Sequence, residues 1–446
     1  MSISDSDTVA VLGSGISGLS VAWYLKKRGI KTILFEAGKE TGGVIKSERN
    51  EFSVFDFGPN TIRDKTGSVC AMIQQLGLEE EVLTISEASK VRYIVRDGDL
   101  KSITQNPLSF LFSDALSFKG KKDLISEPFK KALKSDEDES IGSFLERRIG
   151  KEAVDYLADP FFSGIYAGDI YSLSKKKLIA KISDAEQEHG SIFRGLLKNR
   201  NSKSEWKPKV LSFKKGIQQL TDRLSEELYD QIKFEKIDEL EFKESKFRIK
   251  TSQKEYTFDK VISCLPTYEL SGILHKEHQQ LNKTLLGINY PPMLSTQIIF
   301  KRADLNLPQR GFGFLVPRKE EFRLLGAIWK SNIFPSQTHT NYIHVNLMTG
   351  GAHDIGILKE DIDDVEKSIL NEFFQIMNTE AQPVAVATKC WTRSIPQFKV
   401  GFEQTEKIFD DFETTYKGFY LGGNYRWGVS VSDCVEGARG LVKSAF

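Results

Sequence analysis

Short apolar runs alternate with amphipathic segments at the start of the chain. Residues 8–12, TVAVL, form a continuous β-branched run that is typical of a buried parallel strand. Residues 19–28 place apolar side chains at helical spacing and end before Gly29, and residues 31–35 form a second apolar run. The pattern predicts a β-α-β unit, and two parallel strands joined by a helix imply a parallel sheet.

Similar patterns return later in the chain. Residues 66–82 read as a helix, and residues 208–265 predict strands, a helix and a final strand-to-helix turn. Between about residues 290 and 400 five short strands follow, interrupted by a helix at 361–377, and they predict a mixed or antiparallel sheet. The last strand, glycine-rich turn and helix resemble the nucleotide-binding pattern again.

Residues 89–205 differ from the rest because they are rich in lysine and serine and poor in strand signal. They predict a predominantly helical inserted domain, with Ser140 as one helix N-cap. Their basic clusters are explained most often as solvated helix faces. The other explanation, contact with an anionic membrane surface, stays open from the sequence.

Composition excludes several classes of protein. The 446 residues carry 62 Lys and Arg against 61 Asp and Glu, a net charge of +1, which does not favour a nucleic-acid binder. No run is apolar enough to span a membrane, and Asp5 and Asp7 argue against a targeting leader, so a cytoplasmic location is expected. The four cysteines share no CxxC spacing, and the His275–His278 pair lacks acidic neighbours in a metal-binding pattern, so no metal site is expected.

A glycine-rich turn carries the first specific chemistry. The turn reads Gly13, Ser14, Gly15, Ile16, Ser17, Gly18. In a dinucleotide-binding unit the first glycine allows the tight turn, the second lets a pyrophosphate approach the backbone and the third lets helix and strand pack closely. The helix N-terminus then favours the phosphates. Glu36, at the end of the second strand, can accept hydrogen bonds from both ribose hydroxyls and disfavours a 2′-phosphate.

The residues after this unit favour FAD over NAD. Gly42 and Gly43 follow Glu36 closely, and this double glycine resembles the extended signature of two-domain flavoproteins of the glutathione-reductase fold group. The turn at residues 56–60, DFGPN, resembles the loop that reaches the isoalloxazine ring in that group.

Several separated motifs resemble the oxygen-dependent protoporphyrinogen oxidase family, over the whole chain. They are GSGISGLSVAWYL, FEAGKETGGVIKS, FGPNTIR, DPFFSGIYAGDIYSLS, GFGFLVP, LLGAIW, VNLMTGG, SIPQFKVGF and LGGNYRWGVSVSDCVEGA. The resemblance implies an α/β fold of mixed α+β character with three parts. A Rossmann-like FAD-binding domain is expected from residues 1–58, 208–285 and 412–446, a mixed-sheet substrate domain from 59–88, 196–207 and 286–411, and a helical domain from 89–195.

The resemblance also implies which residues contact FAD. Ile237, on a strand expected to pair with the nucleotide-binding sheet, would contact adenine through its backbone, and Trp391 would lie near the flavin ring. The full implied set is Gly13, Ser14, Gly15, Ile16, Ser17, Gly18, Glu36, Ala37, Gly43, Gly58, Pro59, Asn60, Thr61, Ile237, Trp391, Val429, Ser430 and Val431. A core aromatic is the alternative for Trp391.

Three residues are candidates near the substrate. Arg92 resembles the arginine that the family presents to a propionate, with a surface arginine as the alternative, and Gly164 lies where the family backbone faces the pocket, unless it is only a turn glycine. Asn60 departs from the pattern, because some members carry arginine or another charged residue there. A neutral amide supplies no charge, which weakens a catalytic role. Phe402 also replaces a histidine that is common in the family.

The implied reaction oxidises protoporphyrinogen IX to protoporphyrin IX in haem biosynthesis, in three two-electron rounds, with O₂ reduced to H₂O₂. The flavin would perform the chemistry, and no side chain is required as a catalytic group. The alternatives are a coproporphyrinogen III oxidase, a flavin amine oxidase, or a non-catalytic binder of this fold. The expected partners are the porphyrinogen and oxygen, with peripheral contact on the inner face of the cell membrane and transfer of product to ferrochelatase as further expectations. The oligomeric state stays open.

Overall fold

The computed structural model describes residues 8–103, 114–133, 135, 137–199, 206–243, 246–275 and 277–446. The described strands are β1 Val9–Leu12, β2 Thr32–Glu36, β3 Ser47–Arg49, β4 Val54–Asp56, β5 Ile62–Asp64, β6 Val82–Thr84, β7 Arg92–Arg96, β8 Asp99–Ile103, β9 Lys209–Phe213, β10 Ile232–Phe234, β11 Ile237–Lys243, β12 Lys246–Thr251, β13 Glu255–Phe258, β14 Lys260–Ser263, β15 Met293–Lys301, β16 Gly313–Leu315, β17 Leu324–Trp329, β18 Tyr342–Gly350, β19 Ala385–Trp391 and β20 Phe419–Leu421.

The described α-helices are α1 Ile16–Lys27, α2 Ser68–Gln75, α3 Phe118–Ile125, α4 Ile141–Ile149, α5 Lys151–Ala153, α6 Asp159–Tyr166, α7 Lys175–Leu178, α8 Ala180–His189, α9 Ile192–Asn199, α10 Gln218–Glu227, α11 Thr267–Ile273, α12 Gln279–Gly287, α13 Lys330–Ile333, α14 Ile362–Met377, α15 Phe402–Thr415, α16 Asn424–Trp427 and α17 Val431–Ala445. Within the described residues no helix is long and apolar enough to cross a bilayer.

The central sheet is parallel and has the strand order β10-β2-β1-β14-β20. Alternate residues of β1 serve two different cores, because successive side chains of a strand point to opposite faces. Val9 and Val11 pack with helices α1, α10 and α17, while Ala10 and Leu12 pack with the β11–β12–β13 sheet and α15. The β-α-β unit and the return of the chain to this sheet at β20 are confirmed.

A second, seven-stranded sheet has the order β19-β15-β18-β17-β16-β7-β8. Its neighbours are antiparallel except for β16 and β7, which are parallel, so the mixed sheet is confirmed. One face is covered by α14, whose Val365, Ile369 and Phe373 lie in the same core as strand residues of the sheet. The amphipathic spacing of residues 361–377 predicted this helix within one residue at its start.

Two segments differ from the sequence predictions. The segment predicted as helical from residue 89 begins with the β7–β8 hairpin, which extends the seven-stranded sheet. Its strands alternate charged and apolar residues (RYIVR, DLKSI), which hid the signal in a lysine-rich region. Strand β9, predicted to open a nucleotide-domain segment, pairs instead with β5 and β6. Helices α3 to α9 follow the hairpin, and residues 104–113 and 200–205 of the predicted insert lie outside the described residues.

Candidate cofactor and substrate site

The glycine-rich turn lies at the carboxyl end of β1, and each glycine meets a different constraint. Gly13 has φ +89°, a conformation that favours glycine. A Cβ on Gly18 would lie 1.8 Å from the Gly13 carbonyl oxygen, so only glycine lets helix α1 pack this closely. A Cβ on Gly15, in contrast, would meet nothing within 4 Å. The backbone at Gly15 therefore faces open space directly before the N-terminus of α1, which fits an incoming pyrophosphate.

Glu36 ends β2 with its carboxylate against the same turn. One oxygen, Oε2, accepts the backbone N–H of Ser14 at 3.2 Å and the Ser14 hydroxyl, while Oε1 accepts the N–H of Gly38 at 2.6 Å. Glu36 thus lies at the carboxyl ends of the parallel strands, beside the turn. A carboxylate that binds the ribose is needed at this place. Ala37, the next residue, is exposed.

The double glycine contacts this turn, and the later FGPN segment contacts the residue after the double glycine. Gly42 donates its N–H to the Ser14 carbonyl at 2.9 Å, and a Cβ on Gly43 (φ +59°) would lie 3.2 Å from the Gly15 Cα. A Cβ on Gly58 would lie 2.1 Å from the Val44 carbonyl oxygen. Three segments that are separate in sequence therefore meet through backbone contacts that leave no room for side chains.

A second helix N-terminus lies beside the first. Helix α17 begins after Ser430, whose side chain accepts the N–H of Asp433 in a capping box, and Val429 and Val431 flank this cap. The strand before this helix, β20, runs parallel to β1 in the same sheet, and Val431 and Val435 of α17 lie in one core with Leu19 of α1. Both helix N-termini, with their positive ends, therefore face the same region.

Ile237 is not where the sequence placed it. The edge strand of the parallel sheet, which pairs with β2, is β10 and ends at Phe234, whereas Ile237 begins β11 in the separate three-stranded sheet. The single apolar-polar run IKFEKIDELEF hid this break between two strands. The prediction that Ile237 lies on a strand of the nucleotide-binding sheet is wrong, and its contact with adenine stays a prediction.

Residues 56–61, which we term the flavin-side loop, are held by the seven-stranded sheet. Trp391 Nε1 of β19 donates to the Phe57 carbonyl at 2.9 Å, and Gln297 Nε2 of β15 donates to the Asp56 carbonyl at 3.0 Å. Asn60 is buried, donates Nδ2 to the Gly58 carbonyl at 3.3 Å, and accepts from Asn346 Nδ2 at 2.9 Å. Pro59 and Thr61 complete the loop and are half-buried.

The buried ion pair of this region was not predicted. Lys330 Nζ lies 2.8 Å from Asp56 Oδ2, and both side chains are inaccessible to solvent. Gln297, Asn346 and Lys330 were missed because each lies in or beside a strand read only as core. The available signal was a polar residue at an inward position of an apolar strand, such as Asn346 in YIHVNLMTG.

The substrate-side candidates lie at β7 and β16, next to the edge strand β8 of the seven-stranded sheet. Arg92, the first residue of β7, stacks on the Phe312 ring at 3.9 Å and donates to the Ser89 carbonyl at 2.6 Å. Burial, and then Arg63, lowers its pKa. No carboxylate of the described part of the chain lies within ion-pair distance of Arg92. A Cβ on Gly164 of α6 would lie 2.9 Å from Leu315 Cδ2 of β16, so this glycine packs closely on that strand.

The glycine-rich turn, the two helix N-termini and Glu36 fit a dinucleotide cofactor. No group of three or more histidine, cysteine or acidic side chains within the described ranges could hold a metal ion. A parallel sheet with a glycine-rich turn at its carboxyl end, combined with a large mixed sheet, is typical of FAD-binding oxidoreductases.

Similarity to known proteins supports a flavin-dependent enzyme. Residues 16–440 match the family described as flavin containing amine oxidoreductase, and the chain belongs to that family. It is a flavin-dependent oxidoreductase, and the predicted FAD cofactor is confirmed.

Two curated relatives cover nearly the whole chain. Protoporphyrinogen oxidase 2 of Arabidopsis thaliana is 30% identical over 96% of this chain and 91% of its own length. Coproporphyrinogen III oxidase of Bacillus subtilis is 25% identical over 98% of this chain and 97% of its own length. The resemblance to the protoporphyrinogen oxidase group is therefore confirmed.

Solved structures share the fold. A protein from Exiguobacterium sp., provisionally assigned as a protoporphyrinogen oxidase, superposes with a TM-score of 0.83 at 21% identity, covering 99% of this chain and 98% of that one. Cyclohexylamine oxidase from Brevibacterium oxydans superposes with a TM-score of 0.72 at 14% identity, covering 99% and 98%.

Proposed function

We propose that this protein is an oxygen-dependent porphyrinogen oxidase that converts protoporphyrinogen IX to protoporphyrin IX. Arg92 carries the proposal. It is a half-buried cation with no acidic partner among the described residues, and it stacks on an aromatic ring at the start of β7. A cation left without an acid beside an apolar wall suits a macrocycle that bears propionates. The names of the curated relatives support this substrate class.

The residues divide the work between cofactor and substrate. The turn at Gly13–Gly18, Glu36 and Gly43 would hold FAD, and the flavin-side loop and Trp391 would line its ring. FAD bound there would supply a two-electron acceptor for a meso-carbon hydride, and its reduced form would supply the electrons that convert O₂ to H₂O₂. Arg92 fixes a carboxylate, while Phe312 and Leu315 exclude water from the macrocycle. Six hydrogens leave the porphyrinogen in three rounds, which consume three O₂ and release three H₂O₂.

Coproporphyrinogen III is the second candidate, and Arg63 favours it. This exposed arginine of β5 is near enough to Arg92 to lower its pKa further. Two neighbouring cations suit a substrate with two more carboxylates. For either reaction, we also propose that the product passes to a ferrochelatase.

Porphyrin fluorescence tests both candidates. Purified, FAD-loaded protein receives each porphyrinogen separately in air and under argon, beside enzyme-free samples that correct for spontaneous oxidation. We expect oxygen-dependent porphyrin formation with stoichiometric H₂O₂, and the faster substrate identifies the branch. FAD-loaded protein that oxidises neither faster than the enzyme-free sample rules the proposal out, and amines become the next substrates to test.

We also propose that the helical part contacts an anionic membrane surface from one side. Phe118 of α3 is 85% exposed and Phe129, in the following turn, is 83% exposed. Leu197 of the adjacent α9 is 65% exposed. Exposed basic residues flank them, namely Lys119, Lys122, Lys131, Arg194 and Lys198. Apolar side chains within a basic rim are the pattern of an interfacial anchor.

A buried ion pair stabilises the conformation of the turn that carries Phe129. Arg148 and Glu127 are both fully buried and paired, and Arg148 also donates to the carbonyls of Glu127, Lys130 and Gly190. Glu127 in turn accepts the N–H of Ile192, at the start of α9, at 2.8 Å. The turn that carries Phe129 is thereby fixed against α9.

Vesicle sedimentation tests the contact. We expect binding to vesicles that contain phosphatidylglycerol and little binding to pure phosphatidylcholine, with loss of binding in Phe118→Ser/Phe129→Ser. Tyr229→Ser is the matched control, because Tyr229 is 78% exposed but lies after α10, in the cofactor-binding part. Equal sedimentation of the double variant and the parent refutes the contact.

A further inference from the structure

A continuous chain of hydrogen bonds joins the seven-stranded sheet to the flavin-side loop. Gln297 and Asn346 are direct neighbours on the antiparallel strands β15 and β18, so their side chains share one face. Ser295, two residues before Gln297, lies between them. Its hydroxyl donates to Asn346 Oδ1 at 3.1 Å and accepts from Gln297 Nε2 at 3.0 Å. All three side chains are buried.

The direction of this chain is fixed where it meets the loop. A carbonyl oxygen can only accept, so Asn60 must turn its NH₂ group to Gly58 and its oxygen to Asn346. Asn346 must then donate its NH₂ group, and its oxygen is left to accept from Ser295. Gln297 likewise donates to the Asp56 carbonyl. Every member of the chain therefore has one possible orientation.

The chain continues to a buried histidine. Since the NH₂ group of Gln297 serves Asp56 and Ser295, its oxygen faces His344 Nε2 at 2.7 Å, and His344 must carry its proton on Nε2. His344 Nδ1 then accepts the Ser53 hydroxyl at 2.7 Å. Burial, and then Lys330, lowers the pKa of His344 well below its ordinary value, which keeps the ring neutral. Six bonds thus run in one direction, from Ser53 to the Gly58 carbonyl.

We propose that Asn60 and Asn346 are a positioning pair that orients the Gly58 peptide towards the flavin, and that Asn60 does not act on substrate. Both ends of the Asn60 amide are occupied inside the protein, one by Gly58 and one by Asn346. An arginine at this position could not accept from Asn346, so the neutral residue is required by its neighbour. Aligned hydrogen bonds in a dry interior strengthen one another, so the chain holds the loop in one conformation. The inference rests on the FAD site and not on the identity of the substrate.

The test uses FAD binding and the flavin spectrum of three variants, Asn60→Leu, Asn346→Leu and the double variant. Asn346→Leu removes the neutral hydrogen bond to Asn60, so FAD should bind about five-fold more weakly. Asn60→Leu removes that bond and the bond to Gly58, so FAD should bind at least as weakly to it. Because Asn346 reaches Gly58 only through Asn60, the double variant should lose about as much as Asn60→Leu alone. All three should shift the visible flavin bands and the flavin midpoint potential in the same direction.

Thr349→Val is the matched control, because Thr349 is fully buried on the same strand and its hydroxyl has no hydrogen-bond partner in the structure. It should leave the spectrum, potential and FAD affinity unchanged. Asn346→Asp keeps the shape and replaces the donor by an acceptor, so it repeats the test if Asn346→Leu does not fold. Losses that multiply in the double variant, or an unaltered flavin spectrum and potential in either Asn346 variant, overturn the proposal. No step uses porphyrinogen, so a wrong substrate class leaves the result unaffected.

Discussion

Lys330, directly after β17 of the seven-stranded sheet, and Asp56, at the end of β4, form an ion pair of 2.8 Å, with both side chains shielded from water. Asp56 Oδ1 also accepts the Ser47 hydroxyl at 2.6 Å and the Ile217 N–H at 3.0 Å. Both carboxylate oxygens of Asp56 therefore have partners, and these contacts link four segments of the chain. The backbone carbonyl of Asp56 belongs to the flavin-side loop.

Lys330→Met should destabilise the fold strongly, because it leaves a buried carboxylate without its cation. We expect a loss of about 3–5 kcal/mol in the free energy of unfolding, measured by urea denaturation of the FAD-loaded protein. The double variant Lys330→Met/Asp56→Asn removes both charges and should lose clearly less. Equal losses in the single and double variants would contradict the pairing.

Gly15→Val should fold and yield flavin-free protein. Because the added Cβ meets no protein atom within 4 Å, the side chain occupies only the space assigned to the pyrophosphate. Gly440→Val, at another open glycine on α17, is the control and should retain FAD. The flavin-to-protein absorbance ratio measures both. Full flavin occupancy in Gly15→Val would refute the site.

Arg92→Met should raise the KM for porphyrinogen by about 10- to 100-fold, which corresponds to one lost hydrogen bond to a charged group. FAD content and stability should change little. Lys101→Met on the partner strand β8 is the control, because Lys101 pairs with Asp99. Arg63→Met should affect coproporphyrinogen III more than protoporphyrinogen IX. An unaltered KM in Arg92→Met would remove the basis for the proposed substrate.

His344 should make the protein less stable in mild acid. Its pKa in the folded state lies below the ordinary value of 6.5, so the unfolded chain binds the extra proton first. The contribution of neutral His344 to the free energy of unfolding is therefore fully present above pH 6.5. Below pH 6.5 it decreases by at most about 1.4 kcal/mol per pH unit. The difference in urea stability between the parent and His344→Gln should shrink below pH 6.5.

Asp159 contributes with the opposite sign in an overlapping range. Burial raises its pKa from 3.8 to about 6, so it stabilises the fold below about pH 4, and that contribution is lost as the pH rises through 6. The comparison with His344→Gln cancels this contribution, because Asp159 is present in both proteins. A stability difference that stays constant from pH 8 to pH 5 would contradict the histidine assignment.

The local signals of the sequence predicted the glycine-rich turn and the β-α-β unit around it. The turn from Gly13 to Gly18 and the acid at Glu36 lie within one β-α-β unit, where spacing along the chain determines spacing in the fold. Gly43 and Gly58 could be placed beside that turn only through the family resemblance.

The partners of the flavin-side loop could not be predicted. Asn346 lies 286 positions after Asn60 in sequence, and their contact depends on the register of β18 against β15. Nothing local marks such a pair, since a buried asparagine and an exposed one look alike in sequence. Arg92 was assigned by resemblance, and the hairpin that presents it was hidden in a charged segment.

The parallel sheet is assembled from strands between Val9 and Leu421, and α17 starts only at Val431. A growing polypeptide on the ribosome therefore has its first glycine turn long before the second helix N-terminus exists. The site that we propose for the cofactor is therefore complete only after translation has passed α17. The earlier parts, including the helical segment with its exposed phenylalanines, must remain soluble or be protected by chaperones until then.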